Sequence, residues 1–467
     1  MNKTKIVASI GPISYRKGIL EEMIISGADV IRLNKRYCDY DFCQMVINEV
    51  REINKDLNSS IAVMFDLAGP SIKCGKFKGN QAFFKSGDKI RMFFNSKVGN
   101  DFQFSVDYPL LDILEKGSIV KLSEGKVILQ VLEIGIDYLL CEIVCGGVVE
   151  NYSKVCLPGV KVDRKYLTKQ DKADILFASK MDVDFLVISN VISEEDILEV
   201  NDLLIELNNN HISVFAKIDN DIAVKGLDRI IDVCDGVVIA RNDLAINLPI
   251  ENVPLVKNEV INKCLINGKT SIISADLSSY LNEEKGPNRS EVSDLSSAVA
   301  LGVDAIILSS ETTFGHYPVD AIKQVERIIN VAEKYIDYQY FYDKGIKTQV
   351  KNICGEIVTN AVRSNLELNC KAVVAITNSG YTARQISRLR PSATIIAIVP
   401  NEKIAKKLNL NFGVIAVVVK DSNFDVLLHK SVLLAKKILE LEPHDKIVVV
   451  GGHLCDKHTN FMKIEEL

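Results

Sequence analysis

Short, nearly continuous apolar runs alternate along this chain with longer stretches whose apolar residues recur every three or four positions. The first pattern marks strands buried on both faces, and the second marks amphipathic helices. The alternation predicts strands at Lys5–Ile10, Val30–Asn34, Ile61–Asp66, Phe185–Ser189, Ser213–Asp219, Gly236–Ala240, Ser271–Ala275 and Ala305–Ser309. Between most of them it predicts helices, among them Gly18–Ser26, Asp39–Asn54, Lys169–Lys180, Glu194–Leu207 and Val253–Asn267. Eight strand–helix units in about 250 residues predict an α/β fold, a (β/α)8 TIM barrel. An open doubly wound sheet is the competing architecture.

The alternation breaks once, between Asp66 and Leu167. That segment is rich in strands and turns (Asp88–Phe93, Gly117–Leu122, Val127–Ile134, Tyr138–Val144) and holds no long helical pattern. An all-β insertion after the third barrel strand accounts for it. Such an insertion falls on the C-terminal face of the barrel, where active sites sit, and forms a lid. A second α/β pattern begins after Tyr335: a helix at Val350–Leu366, strands at Ala372–Thr377, Thr394–Val399, Gly413–Val419 and Lys446–Val450, and a helix at Phe424–Leu441. It predicts an open α/β domain. The expected division is 1–68 with 162–338 as the barrel, 69–161 as a β-barrel-like lid, and 339–467 as a C-terminal α/β regulatory domain.

Composition narrows the class. Hydrophobic residues make up 47% and charged residues 25% of the 467 positions, the balance of a globular protein. A net charge of −5 disfavours nucleic acid and anionic membrane as partners. The first residues, MNKTKIVASIGP, lack the apolar core of a signal peptide, and no run of 18 apolar residues occurs. Eleven scattered cysteines fit reduced thiols, so a cytoplasmic location is expected. Neither Cys141 with Cys145 nor the group His453, Cys455 and His458 completes a zinc pattern.

Candidate chemistry comes from charge on buried strands. Lys217 and Asp219 stand two apart in Val214-Phe215-Ala216-Lys217-Ile218-Asp219, so they share a face. Charges on the inward face of an apolar strand are costly unless they meet other charges. Arg32 and Asn34 share a face of the second strand, Asp66 ends the third, and Asp243 follows the sixth. All six residues would gather at one mouth of a barrel. Asp219 and Asp243 are hard oxygen ligands suited to Mg²⁺ or Mn²⁺, with water and substrate oxygens completing the shell. Lys217 and Arg32 are fixed cations beside that ion. Such a cluster suits a small anion carrying phosphate and carboxylate.

The motifs TKIVASIGP, VIRLN, FDLAGPSIK, CLPGV, AKIDN, VVIARNDL, PNRSE and SSETTFGHYP, in this order, resemble the pyruvate kinase family, and ITNSGYTAR extends the likeness into the C-terminal domain. The resemblance implies phosphoryl transfer from phosphoenolpyruvate to ADP, giving pyruvate and ATP in glycolysis, typically by a homotetramer. It implies that Lys217 and Arg32 contact the transferring phosphoryl and that Asp219 and Asp243 bind the divalent ion. It also implies that Asn34 and Asp66 belong to a K⁺ site. Lys73, Asn242 and Ser274 fall at substrate or nucleotide positions. Ser379, Gly380 and Thr382 match a loop that holds an effector phosphate.

Several positions depart from the family pattern. Asp219 stands where the family has glutamate, leaving about 1 Å to be recovered around an ion whose ligands sit at about 2.0–2.1 Å. Arg36 replaces a serine; its guanidinium either takes the place of K⁺ by pairing with Asp66, so that no K⁺ is needed, or turns to solvent with the ion site lost. Lys73 stands where the family has arginine, without the bidentate fork. A threonine that delivers a proton to the enolate aligns with Ala275, unless a shift of register lets Ser274 serve. Asn242 replaces a glycine beside Asp243. Three readings therefore stand: a working pyruvate kinase, a catalytically impaired relative acting as a binding or regulatory subunit, and a metal-dependent lyase or decarboxylase of 2-oxo acids.

Overall fold

The computed structural model describes residues 2–277, 280, 286–349, 351–421, 423–452 and 459–467. Eight parallel strands close into a barrel: Lys5–Ser9, Val30–Asn34, Ala62–Asp66, Phe185–Ile188, Ser213–Ile218, Gly236–Ile239, Thr270–Ser274 and Ala305–Leu308, with the last pairing the first. The competing open sheet is thereby excluded. Each strand end lies within one residue of the position expected from the apolar runs.

Alternation along these strands divides two cores. Val7, Val30, Met64, Phe185, Phe215, Val238, Ile272 and Ile307 fill the barrel interior. Their sequence neighbours, such as Ile6, Ile31, Phe65, Leu186, Ile273 and Ile306, pack outward against the helices. Gly236 is required for this packing, because a Cβ there would lie 2.3 Å from the Phe215 ring. Leu410, from the C-terminal domain, joins the interior cluster. Nearby, Arg390 pairs with Asp304 at 2.9 Å, and Asn411 reaches Thr270 at 3.3 Å. The C-terminal domain thus closes one end of the barrel, and the opposite end carries the charged residues.

The segment between the third and fourth barrel strands forms a seven-stranded sheet with its own apolar core, including Phe84, Ile90, Met92, Phe104, Leu129 and Leu139. Its first and last strands, Ile72–Lys73 and Lys154–Cys156, pair antiparallel, so the chain enters and leaves this unit side by side. Gly69 shapes the entrance. Its φ is +67°, and a Cβ there would sit 2.3 Å from the Ser189 carbonyl oxygen. The lid meets the barrel again where the Lys121 ammonium donates to the Ile246 carbonyl at 2.5 Å.

The C-terminal sheet has the order Val414–Val418, Thr394–Val399, Ala372–Ile376, Lys446–Gly451, Phe461–Glu466. The first four strands run parallel, and Phe461–Glu466 joins antiparallel. No helix among the described residues is long and apolar enough to cross a membrane.

Candidate active site

Side chains at the C-terminal ends of the barrel strands turn inward by the same alternation that fills the core. Arg32 follows Val30, Asp66 follows Met64, Lys217 follows Phe215, and Ser274 follows Ile272. Asp66 is fully buried and carries two cations. Arg32 Nε donates to its Oδ2 at 2.9 Å, Arg32 Nη2 closes a second contact on the same oxygen, and Lys217 Nζ lies 3.0 and 3.1 Å from the two carboxylate oxygens. Burial alone would push the Asp66 carboxyl up; the charges of Lys217 and Arg32, with their hydrogen bonds, more than offset it and hold it below its ordinary value. Arg32 Nη1 also reaches Ser9 Oγ at 2.8 Å and Ser309 Oγ at 3.3 Å, and Ser189 Oγ lies 3.4 Å from Asp66.

Asp219 is buried to 2% exposure in a different setting. It follows the fifth strand directly and precedes Asn220, which caps the helix Asp221–Lys225 through the Ala223 N–H at 2.8 Å. Its Oδ2 accepts the Asn190 backbone N–H at 2.9 Å, and its Oδ1 accepts the Asn220 side-chain amide at 2.9 Å. No ion pair reaches it among the described residues. Burial raises its carboxyl above the ordinary range; Lys154 opposes that rise and the like charge of Asp243 adds to it. Asp243, half-buried in the first turn of the helix Arg241–Asn247, thus acts on Asp219 with a like charge. Two such carboxylates with lone pairs to spare fit a hard divalent ion. No group of three or more His, Cys, Asp or Glu gathers among the described residues. An ion at this pair would complete its shell with water and ligand oxygens, in line with a site limited to two carboxylates.

Four of the positions singled out in the sequence take the following places. Arg36 does not pair with Asp66, because Arg32 and Lys217 already occupy both oxygens; Arg36 is exposed, and its nearest acidic influence is Asp243. Ala275 does not face the interior: it packs in the outer core, while Ser274 takes the inward position. Asn242 stands at an exposed helical position without positive φ, so no glycine-like backbone is needed. Thr382 does not offer its hydroxyl to a phosphate, since it is buried 2.6 Å from Thr459 Oγ1.

The remaining expected residues fall as follows. Asn34 accepts the Arg36 backbone N–H at 3.1 Å, which spends its carbonyl oxygen on the turn. Lys73 is exposed on the first lid strand, in register with Lys154. The Ser274 carbonyl is held by Arg241 Nε at 2.9 Å and Nη2 at 2.6 Å. Ser379 Oγ accepts the Tyr381 N–H at 3.4 Å, and Gly380, with φ +77°, is the N-cap of the helix Tyr381–Arg388. Cys141 is buried and Cys145 exposed, both free. His453, Cys455 and His458 lie outside the described residues.

Sequence reading missed Ser9, Ser189 and Ser309, which the two-residue alternation past each strand end could have found. It also missed Lys154 and Asn190, for which no local signal exists. Both line a cleft between lid and barrel, together with Ser71, Arg164, Asn220 and Asn247.

A barrel with a charged mouth, an inserted β lid and a C-terminal α/β domain is an enzyme architecture, and the comparisons specify which. Residues 1–322 match the pyruvate kinase barrel domain, and residues 355–465 match the pyruvate kinase alpha/beta domain. A pyruvate kinase of Staphylococcus epidermidis is 34% identical over 470 residues, covering 99% of this chain and 80% of the relative. One from Clostridium perfringens is 32% identical over 475 residues and covers both chains completely. The crystal structure of a pyruvate kinase from Cryptosporidium parvum superposes with a TM-score of 0.95 at 30% identity, over 100% of this chain and 96% of the other. The chain belongs to the pyruvate kinase family, a family of phosphotransferases.

Proposed function

We propose that this chain is a working pyruvate kinase, which transfers the phosphoryl group of phosphoenolpyruvate to ADP. The P–O bond to the enol oxygen breaks, a β-phosphate oxygen of ADP bonds to phosphorus, and the enolate takes a proton at carbon to become pyruvate. One observation carries this reading: the mouth separates its charges. Lys217 and Arg32 are fixed by Asp66, while Asp219 and Asp243 make no ion pair among the described residues.

The fixed cations are preorganised for the transferring phosphoryl, whose charge is spread over its oxygens. Asp219 and Asp243 would hold Mg²⁺ or Mn²⁺, which when bound neutralises phosphoryl and carboxylate oxygens. Ser274, on the inward face, is the hydroxyl placed to hand over the proton. The lid, residues 69–161, would cover the charged mouth and limit water there. K⁺ is not required: Asp66 is neutralised by Arg32 and Lys217. The enzyme acts in the cytoplasm, in glycolysis, as a homotetramer.

Release of pyruvate in a coupled assay with phosphoenolpyruvate, ADP and Mg²⁺ tests the reading, with Lys217→Ala expected to abolish it. Absent turnover with metal-dependent binding of oxalate, an enolate mimic, would instead favour the binding-subunit or 2-oxo-acid lyase reading.

A further inference from the structure

Lys154 opens the last lid strand, and its ammonium donates to the Asn190 side-chain oxygen at 2.8 Å. The Asn190 backbone N–H in turn donates to Asp219 at 2.9 Å, and its side-chain amide reaches the Ala68 carbonyl at 3.4 Å. One rim residue therefore touches the exit of the lid, its entrance and the buried carboxylate. Asn190 adopts φ +58° to do so. Of the neighbouring cations, Lys217 and Arg32 are committed to Asp66 and Arg164 to the Pro70 carbonyl at 2.6 Å, while Arg36 acts chiefly with Asp243 from an exposed position. Lys154 is held by a neutral amide and forms no ion pair among the described residues. Of the charges around Asp219, that of Lys154 favours the carboxylate most.

We propose that Lys154 is a lid-borne counter-ion of the Asp219–Asp243 pair, a positioning residue that leaves its seat on Asn190 when a divalent ion binds. The proposal rests on the metal reading above and says what the lid does there. A buried carboxylate pair is costly without countercharge, and an ammonium close by supplies part of it. A divalent ion at the same carboxylates supplies more and repels the ammonium. Ion binding then loosens the last lid strand and frees one cation for an anionic substrate.

Titration of Mn²⁺ into the full chain by calorimetry, without substrate, tests this. Lys154→Gln keeps a hydrogen-bonding amide and removes the charge, and Lys154→Met removes both. Each is expected to bind Mn²⁺ about tenfold tighter at low ionic strength, whereas Lys154→Arg stays near the unaltered protein. A merely structural role would leave the affinity unchanged or weaken it, and either result overturns the proposal. Asp219→Asn separates the two levels. If it abolishes Mn²⁺ binding while Lys154→Gln binds as the unaltered chain does, only the counter-ion role fails. If it leaves Mn²⁺ binding intact, the metal reading fails and takes the proposal with it.

Discussion

Asp66 and Asp219 stand at the same rim, both shut off from solvent, yet their surroundings are opposite. Asp66 meets a guanidinium and an ammonium in direct contact; among the described residues Asp219 meets an N–H, an amide and more distant charge. Burial penalises both carboxylates, and only at Asp66 do contacts outweigh it. The first aspartate is thus a structural anion that aims two cations. The second is a buried anion with no ion pair among the described residues, as the proposed divalent-ion site requires. The general lesson is that a buried charge shows its role by what neutralises it.

The sharpest way to break this comparison is to remove what Asp66 aims. Lys217→Ala should lower phosphoenolpyruvate turnover by on the order of a thousandfold or more, as for loss of a preorganised charge stabiliser. A loss under tenfold in steady-state kinetics would refute that role. Next comes stability. Asp66→Asn leaves Arg32 and Lys217 short of their buried partner and should cost about 3–5 kcal/mol in denaturant unfolding.

Asp219→Asn should act in the other direction, stabilising the ion-free protein by about 1 kcal/mol, because a buried ionised group is replaced by a neutral one. Destabilisation of the size expected for Asp66→Asn would erase the contrast. Acid should separate the pair as well. The raised Asp219 carboxyl costs stability while ionised, so the advantage of Asp219→Asn is largest at neutral pH. It fades as pH falls through that raised value towards the ordinary one near 3.9. The lowered Asp66 carboxyl contributes fully above its ordinary value and is lost only as pH falls through its own lower one. Unfolding curves of both variants across acid pH in chelator check these slopes. The smallest expected effect is that of K⁺: replacing it with a large organic cation at constant ionic strength should leave turnover unchanged.

The barrel was legible because a parallel strand buried on both faces is a continuous apolar run, and its ends carry the polar residues. The Phe461–Glu466 strand escaped notice. It lies at the sheet edge, alternates apolar with charged residues, and joins antiparallel to Lys446–Gly451. The short lid strands Gln81–Phe84 and Gly147–Glu150, with alternating burial, were equally faint. In the site, alternation placed Arg32, Asp66 and Lys217 on one face. It could not say that Arg32 and Lys217, rather than Arg36, would take Asp66.

By itself the sequence determined the barrel, the inserted β unit, the C-terminal α/β domain and the family, because periodicity and local motifs are properties of neighbouring residues. Only the tertiary structure decided which charges meet. That Ser274 rather than Ala275 faces inward depends on the closed ring, and that Lys154 reaches Asn190, which in turn holds Asp219, depends on where the lid folds back. Electrostatic partnership is set by distance through space, and residues 66, 154 and 219 become neighbours only once the chain has closed upon itself.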